Sequence, residues 1–171
     1  FIMSNSKKVI VITGASQGLG AGMVKAFRDL DYKVVATSRS IKPSTDPDIL
    51  TVAGDIGNPE VAQKVIREAI ERFGRVDTLI NNAGIFVAKP FTQYTAEDYA
   101  NVLSVNLNGF FYITQAAVEA MEKQGDGRST RYVATAAAQA ALGAAPAGPG
   151  LLQWSAAALP LVETLRAPLG T

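Results

Sequence analysis

Three glycines, Gly14, Gly18 and Gly20, fall within seven positions directly after the β-branched run VIVIT at 9–13. Between a strand and a helix, glycines let the backbone turn tightly and approach a diphosphate with no Cβ in the way. The helix that starts there offers free N–H groups and the positive end of its dipole to an anion. Taken alone, the spacing Gly-x-x-x-Gly-x-Gly suits a structural turn as well as a phosphate cradle. Its place after a buried strand and before an amphipathic helix favours the cradle.

The next residues able to meet such a ligand stand eighteen and nineteen positions after Gly20: Ser38 and Arg39, with no carboxylate beside them. In dinucleotide folds an acidic residue at about 20 positions binds the adenosine 2′-hydroxyl, whereas an arginine suits a 2′-phosphate. A guanidinium pairs with a phosphate in two places. NADP is therefore expected over NAD, with a solvated surface arginine as the plain alternative. Composition limits other chemistry. The chain has no cysteine and no histidine, which removes thiolates, disulfides and the commonest general base and metal ligand. No metal site is expected.

These residues need elements to hold them. The apolar run at 8–13 has the pattern of a strand buried on both faces of a parallel sheet. Leu19, Met23, Val24, Phe27 and Leu30 recur at helical spacing over 18–30. YKVVATS and DILTVAGD read as the second and third strands. A helix is predicted from Asn58-Pro59 to about Phe73, with Gly74 as its stop. RVDTLINNAG reads as a fourth strand, followed by a long helix from about Ala96 to Lys123 interrupted near Asn108-Gly109; RYVATA is a candidate fifth strand. Strands alternating with helices predict βαβ units and a parallel sheet, with ligands beyond the carboxyl ends of the strands. Those ends carry small and polar residues: 14–20, Ser38-Arg39, Asp55-Ile56 and 81–84.

TGASQGLG at 13–20, GD at 54–55, NNAG at 81–84 and VNLNG at 105–109 resemble, in order and spacing over about 7–125, the motifs of the short-chain dehydrogenase/reductase family in its typical soluble form. The resemblance implies a three-layer α/β fold, with a Rossmann-type, doubly wound parallel sheet binding NAD(P). It implies hydride transfer between the nicotinamide and a small carbonyl or alcohol, in a homodimer or homotetramer. Carried over position by position, Gly14, Ser16, Gln17, Gly18, Leu19 and Gly20 would line the diphosphate. Asp55 would meet the adenine amino group with Ile56 beside the ring, and Asn82, Ala83 and Gly84 would support the strand end beside the cofactor. Asn106 resembles the family's active-site asparagine, which holds a water in the proton relay. By residue type alone, Asn82 serves equally as a strand cap and Asn106 as a helix bend.

The pattern breaks where the family's chemistry is expected. That chemistry uses a serine to polarise the carbonyl and a tyrosine to pass the proton. A lysine four residues on lowers the pKa of the phenol, which is otherwise about 10. Here the residues four after Tyr32, Tyr94, Tyr99, Tyr112 and Tyr132 are Ala36, Asp98, Leu103, Ala116 and Ala136. The best match to the tyrosine helix, WSAAALPLVETLR at 154–166, puts Trp154 and Ala158 at the tyrosine and lysine positions. Ala136 or Ala137 takes the place of the serine, with Thr135 nearby. Pro160 would cost a continuous helix there roughly 3 kcal/mol. Residues 129–171 hold 13 alanines and four prolines but only three charged residues. Three explanations stand: a truncated product in an altered reading frame, a tail of doubtful sequence, or a relative that binds nucleotide without turnover.

At 171 residues, 48% of them hydrophobic, the chain is read as a single NAD(P)-binding domain over 1–171. Its C-terminal part is truncated or atypical, with a low-complexity tail from 129. A net charge of +1 gives no footprint for nucleic acid or an anionic membrane. No apolar stretch approaches the roughly 20 residues of a membrane span. The opening FIMSNSKK lacks the apolar core of a signal peptide. The expectation is a cytoplasmic, NADP-preferring oxidoreductase of a small carbonyl or alcohol, with no nucleic-acid or membrane partner. A catalytically inactive nucleotide-binding module is the alternative, and an interaction protein pairing through the 96–123 helix is a third reading.

Overall fold

Val9, Ile10, Val11 and Ile12 have no exposed surface, so the run read as a strand buried on both faces is one. The structure, a computed structural model, describes residues 7–124. They lie in the first of the two units into which the chain divides, Phe1–Gly127. The second unit, Arg128–Thr171, falls outside the described residues, and with it the candidate strand at 131–136 and the segment 154–166.

Strand β1 (Val9–Thr13) leads to helix α1 (Gly18–Asp29), then β2 (Lys33–Ser38), β3 (Ile49–Ala53), α2 (Pro59–Phe73) and β4 (Thr78–Ile80). A 3-10 turn at Phe91–Gln93 precedes α3 (Ala96–Leu103), a π-helical stretch at Ser104–Gly109 and α4 (Phe110–Lys123). The strands form one parallel sheet in the order β3-β2-β1-β4. The chain winds outward from β1 to β3 and then returns to place β4 on the other side of β1. That reversal is the switch point beside which open α/β sheets hold their ligands.

Successive side chains of β1 go to opposite faces. Val9 and Val11 join Val35 and Val52 under α2 and α4, against Val65, Ala69, Ile113 and Ala117. Ile10 and Ile12 join Val34 and Ala36 under α1, against Met23, Val24 and Phe27. Fully burying a Val or Ile side chain contributes about 1.5–3 kcal/mol, so β1, buried along its whole length, is the axis of the fold. The expected three-layer α/β arrangement results.

Helix ends follow local chemistry. Asn58 caps α2 by accepting from the Glu60 amide at 2.9 Å, with Pro59 in the first turn and Gly74 as the C-cap. Thr95 and Asp98 form a capping box on α3. At the amino ends of the strands, Arg28 donates to Asp46 at 2.9 Å and to the Tyr32 carbonyl at 2.6 Å, and Lys7 pairs with Asp48 at 2.9 Å. This network fastens the β2–β3 connection at the edge of the sheet opposite its carboxyl ends. Among the described residues no helix is long and apolar enough to cross a membrane.

Two elements depart from expectation. β4 is shorter than 75–84: at its start the Val9 amide donates to the Asp77 carboxylate at 2.8 Å, and past its end the amides of Asn82 and Ala83 donate to Thr13 Oγ1. Side chains thus take the place of ladder bonds at both ends, while Gln124 pairs with Val76 on the edge away from β1. The break in the long helix covers Asn108 and Gly109 but begins earlier, at Ser104.

Candidate functional site

Thr13 ends β1 and is buried. Its Oγ1 accepts from the backbone amides of Asn82 at 3.0 Å and Ala83 at 2.9 Å, and donates to the Ile80 carbonyl at 3.4 Å. Two accepted bonds and one donated bond use the hydroxyl fully. Asn82 returns the link, its Nδ2 donating to the carbonyls of Thr13 at 3.0 Å and Gly14 at 3.2 Å. The ends of β1 and β4 are thus stitched together across the switch point. No side chain fits in the seam. A Cβ on Gly14 would come within 2.8 Å of Ala83 Cα, and one on Gly20 within 2.1 Å of the Gly14 carbonyl oxygen.

The turn is held from β2 as well, where the Ala15 amide donates to the Thr37 carbonyl at 3.1 Å. One strand further, the Gly54 amide donates to the Ser38 carbonyl at 3.1 Å. Asp55 Oδ1 accepts from the Gly57 amide at 3.0 Å, which fixes that carboxylate by one oxygen and leaves the other.

These ends enclose a cleft of about 420 Å³, within the range of about 300–1,000 Å³ for small-molecule sites. The glycine turn contributes Gly14, Ser16, Gln17, Gly18, Leu19 and Gly20 to its lining. The end of β2 adds Ser38 and Arg39, the end of β3 adds Asp55 and Ile56, and the chain after β4 adds Asn82, Ala83 and Gly84. The residues expected from sequence to meet a nucleotide are therefore gathered around one space. Among the described residues Asp55 is its one lining carboxylate and Arg39 its one lining cation. Arg39 is exposed and forms no ion pair with any of the described residues. Helix α1 begins at this cleft with neither a side-chain cap nor an acidic residue in its first turn, so its amides and positive dipole end are left for an anion.

Asn106 does not line the cleft. It sits in the π-helical stretch, where its Oδ1 accepts from the Ile85 amide at 2.8 Å and its Nδ2 donates to the Ile85 carbonyl at 2.9 Å. It reaches the site through Ile85, which is a lining residue. Such π interruptions gather at functional sites. The segments carried over to the catalytic serine, tyrosine and lysine, with Thr135, Ala136, Ala137, Trp154 and Ala158, lie outside the described residues. Among the described residues no group of three or more His, Cys, Asp or Glu could hold a metal ion.

Sequence reasoning passed over five lining residues: Thr37, Ser40, Gly54, Ile85 and Val105. Gly54 stood in a quoted motif. Thr37 pairs in register with Thr13, which the sequence alone does not show. Val105 opens the VNLNG motif, while Ser40 and Ile85 merely flank positions already chosen, and nothing in their residue type marks them.

A family model of the short chain dehydrogenases matches residues 8–145. A 3-oxoacyl-acyl-carrier-protein reductase of Buchnera aphidicola is 35% identical over 133 residues, covering 74% of this chain and 54% of the relative. An L-rhamnose-1-dehydrogenase of Scheffersomyces stipitis is 31% identical over 135 residues, covering 71% of this chain and 52% of the relative. Among solved structures, a short chain dehydrogenase from Bacillus anthracis superposes with a TM-score of 0.64 at 35% identity, covering 69% of this chain and 53% of that one. The chain spans about half the length of the curated relatives it matches.

Proposed function

This chain belongs to the short-chain dehydrogenase family, and from that premise we propose that it binds NADP in preference to NAD and serves hydride transfer to or from a small carbonyl or alcohol. The observation that carries the proposal is the uncapped start of α1 in a glycine turn where a Cβ on Gly14 or Gly20 has no room. Such a turn gives a diphosphate close access to backbone amides.

The bound dinucleotide would supply the hydride donor or acceptor. The chain's own residues bind and orient it. Ser16 to Gly20 and the first turn of α1 hold the diphosphate, while Ser38 and Arg39 hold the 2′-phosphate. Asp55 keeps one oxygen for the adenine amino group, and Ile56 covers the ring. Asn82 does not reach outward; it fixes the carbonyls of Thr13 and Gly14, and so the shape of the cradle. Asn106 fixes Ile85 at the rim. A cytoplasmic location and association into dimers or tetramers belong to the same reading. Phe110 and Phe111 of α4, 44% and 56% exposed, support the association.

One observation favours a second reading, in which nucleotide binds without turnover: the sequence holds no Tyr-x-x-x-Lys pair. Fluorescence titration of the full chain with NADPH and NADH tests the first step, and turnover of small aldehydes and ketones tests the second. Binding with turnover supports the oxidoreductase, and binding alone supports the module. Failure to bind either nucleotide would overturn both.

A further inference from the structure

Thr37 Oγ1 is the one buried side-chain oxygen or nitrogen without a hydrogen-bond partner among the described residues. The residue is 1% exposed and stands between Thr13 on β1 and Val52 on β3 in the register of the sheet. Parity along β2 places it on the face of Val35, not on the α1 face of Val34 and Ala36. Its neighbour Thr13 shares that edge, but every hydrogen-bonding capacity of the Thr13 hydroxyl is taken by Ile80, Asn82 and Ala83. The Thr37 carbonyl is likewise used, by the Ala15 amide. Only its hydroxyl is idle. An unpaired buried hydroxyl costs stability, and valine would fill the same shape without that cost.

Thr37 also lines the cleft, beside Ser38 and Arg39 in the chain and one strand from the segment that carries Asp55 and Ile56. These are the groups assigned to the adenosine end of the dinucleotide. We propose that Thr37 is a specificity residue for that end. Its hydroxyl, covered in the free chain, turns about χ1 toward the cleft to pair with the adenosine of the bound nucleotide, and is satisfied only in the complex. The inference rests on the dinucleotide reading of the cleft. It explains why the sheet keeps an idle hydroxyl at a position surrounded by Val35, Val52 and a fully bonded threonine.

The experiment compares the wild-type chain with Thr37→Val and Thr37→Ser. Dissociation constants are measured for NADPH and for adenosine 2′,5′-bisphosphate, and melting temperatures are measured without nucleotide. The Val variant is expected to bind both ligands about tenfold more weakly, as the loss of one hydrogen bond implies, yet to melt at or above the wild-type temperature. The Ser variant is expected to bind as the wild type does. Wild-type affinity of the Val variant for adenosine 2′,5′-bisphosphate would overturn the proposal, as would a loss confined to NADPH. If Thr37→Val does not fold, Thr37→Ala carries the same affinity comparison. A wild-type chain that binds neither ligand would instead overturn the dinucleotide reading itself, an outcome distinct from equal binding by wild type and variant.

Discussion

Asn106 and Ile85 are joined by two hydrogen bonds, Ile85 N to Oδ1 at 2.8 Å and Nδ2 to Ile85 O at 2.9 Å. A side chain of the π-helical stretch thereby completes a backbone pair as a neighbouring strand would, and ties the chain after β4 to the helix beside the cleft. Asn106→Asp keeps the acceptor but sets a carboxylate oxygen against the Ile85 carbonyl. At this exposed position the loss is expected to be about 1 kcal/mol, with faster amide exchange at Ile85. Unchanged exchange there would show that the pair does not fix the rim.

Gly18 has φ +54, and a Cβ built on it meets nothing within 4 Å. Asp tolerates that left-handed conformation better than most residues, so Gly18→Asp is expected to fold. The new carboxylate would stand at the start of α1, where the diphosphate is assigned. Circular dichroism should match the wild type while NADPH affinity falls by at least about tenfold, a single charge repulsion in a partly enclosed site. Retained affinity would remove the diphosphate from this turn.

Arg39→Glu separates the two cofactors. Replacing the Arg39 guanidinium by a carboxylate removes a phosphate partner and adds repulsion, which acts on the 2′-phosphate alone. NADPH binding is expected to weaken by about a hundredfold, from two charge-assisted bonds of about 1.5 kcal/mol each, with NADH nearly unaffected. Equal losses for both would end the assignment of Arg39 to the 2′-phosphate, and no loss for either would leave it a solvated surface residue.

Thr13→Val tests the stitch between β1 and β4. The substitution keeps shape but leaves the amides of Asn82 and Ala83 without their acceptor. Two unsatisfied, partly buried donors are expected to cost about 2–4 kcal/mol. The urea midpoint should fall accordingly, and a shift of less than about 0.5 kcal/mol would mean that water replaces the hydroxyl at the seam.

The sheet was legible because burial on two faces leaves a mark in composition: Val9 to Ile12 are all β-branched, apolar and followed by a glycine turn, the pattern of an inner strand, and all four are buried. The cleft was legible for a related reason. Parallel strands deliver their carboxyl ends to one edge, so the small and polar residues that interrupt each apolar run converge there. The π-helical stretch was not legible to its extent, because its residues keep apolar positions at near-helical spacing and only Asn108-Gly109 announced a break. The length of β4 was hidden too, since the side chains of Asp77 and Thr13 replace its ladder bonds at either end, across about 70 residues of chain. Thr37 escaped because a threonine in a strand is ordinary; only its missing partner marks it.

Acid should expose the anchoring of the segment that follows the cleft. Asp98 accepts from the amide and the hydroxyl of Thr95, both at 2.7 Å, and pairs with Lys89, whose ammonium lies 5.7 Å from the Tyr94 ring centroid. The bond from Lys89, followed by those from Thr95, holds its carboxyl down to about 2, against about 3.9 for a free aspartate. A carboxyl depressed in the folded state favours folding in its ionised form. Its contribution is complete above about pH 4 and disappears as the pH falls through 2. Other carboxylates are depressed in the same direction, Asp46 by Arg28 and Asp48 by Lys7, so the acid limb of the wild type alone assigns nothing. Comparison with Asp98→Asn cancels them, since both proteins keep the Arg28 and Lys7 network. The wild type should be the more stable of the two by a constant margin from pH 7 to about 4, and the margin should close between pH 4 and 2. A margin that stays constant down to pH 2 would show that the carboxylate charge of Asp98 does not anchor the start of α3.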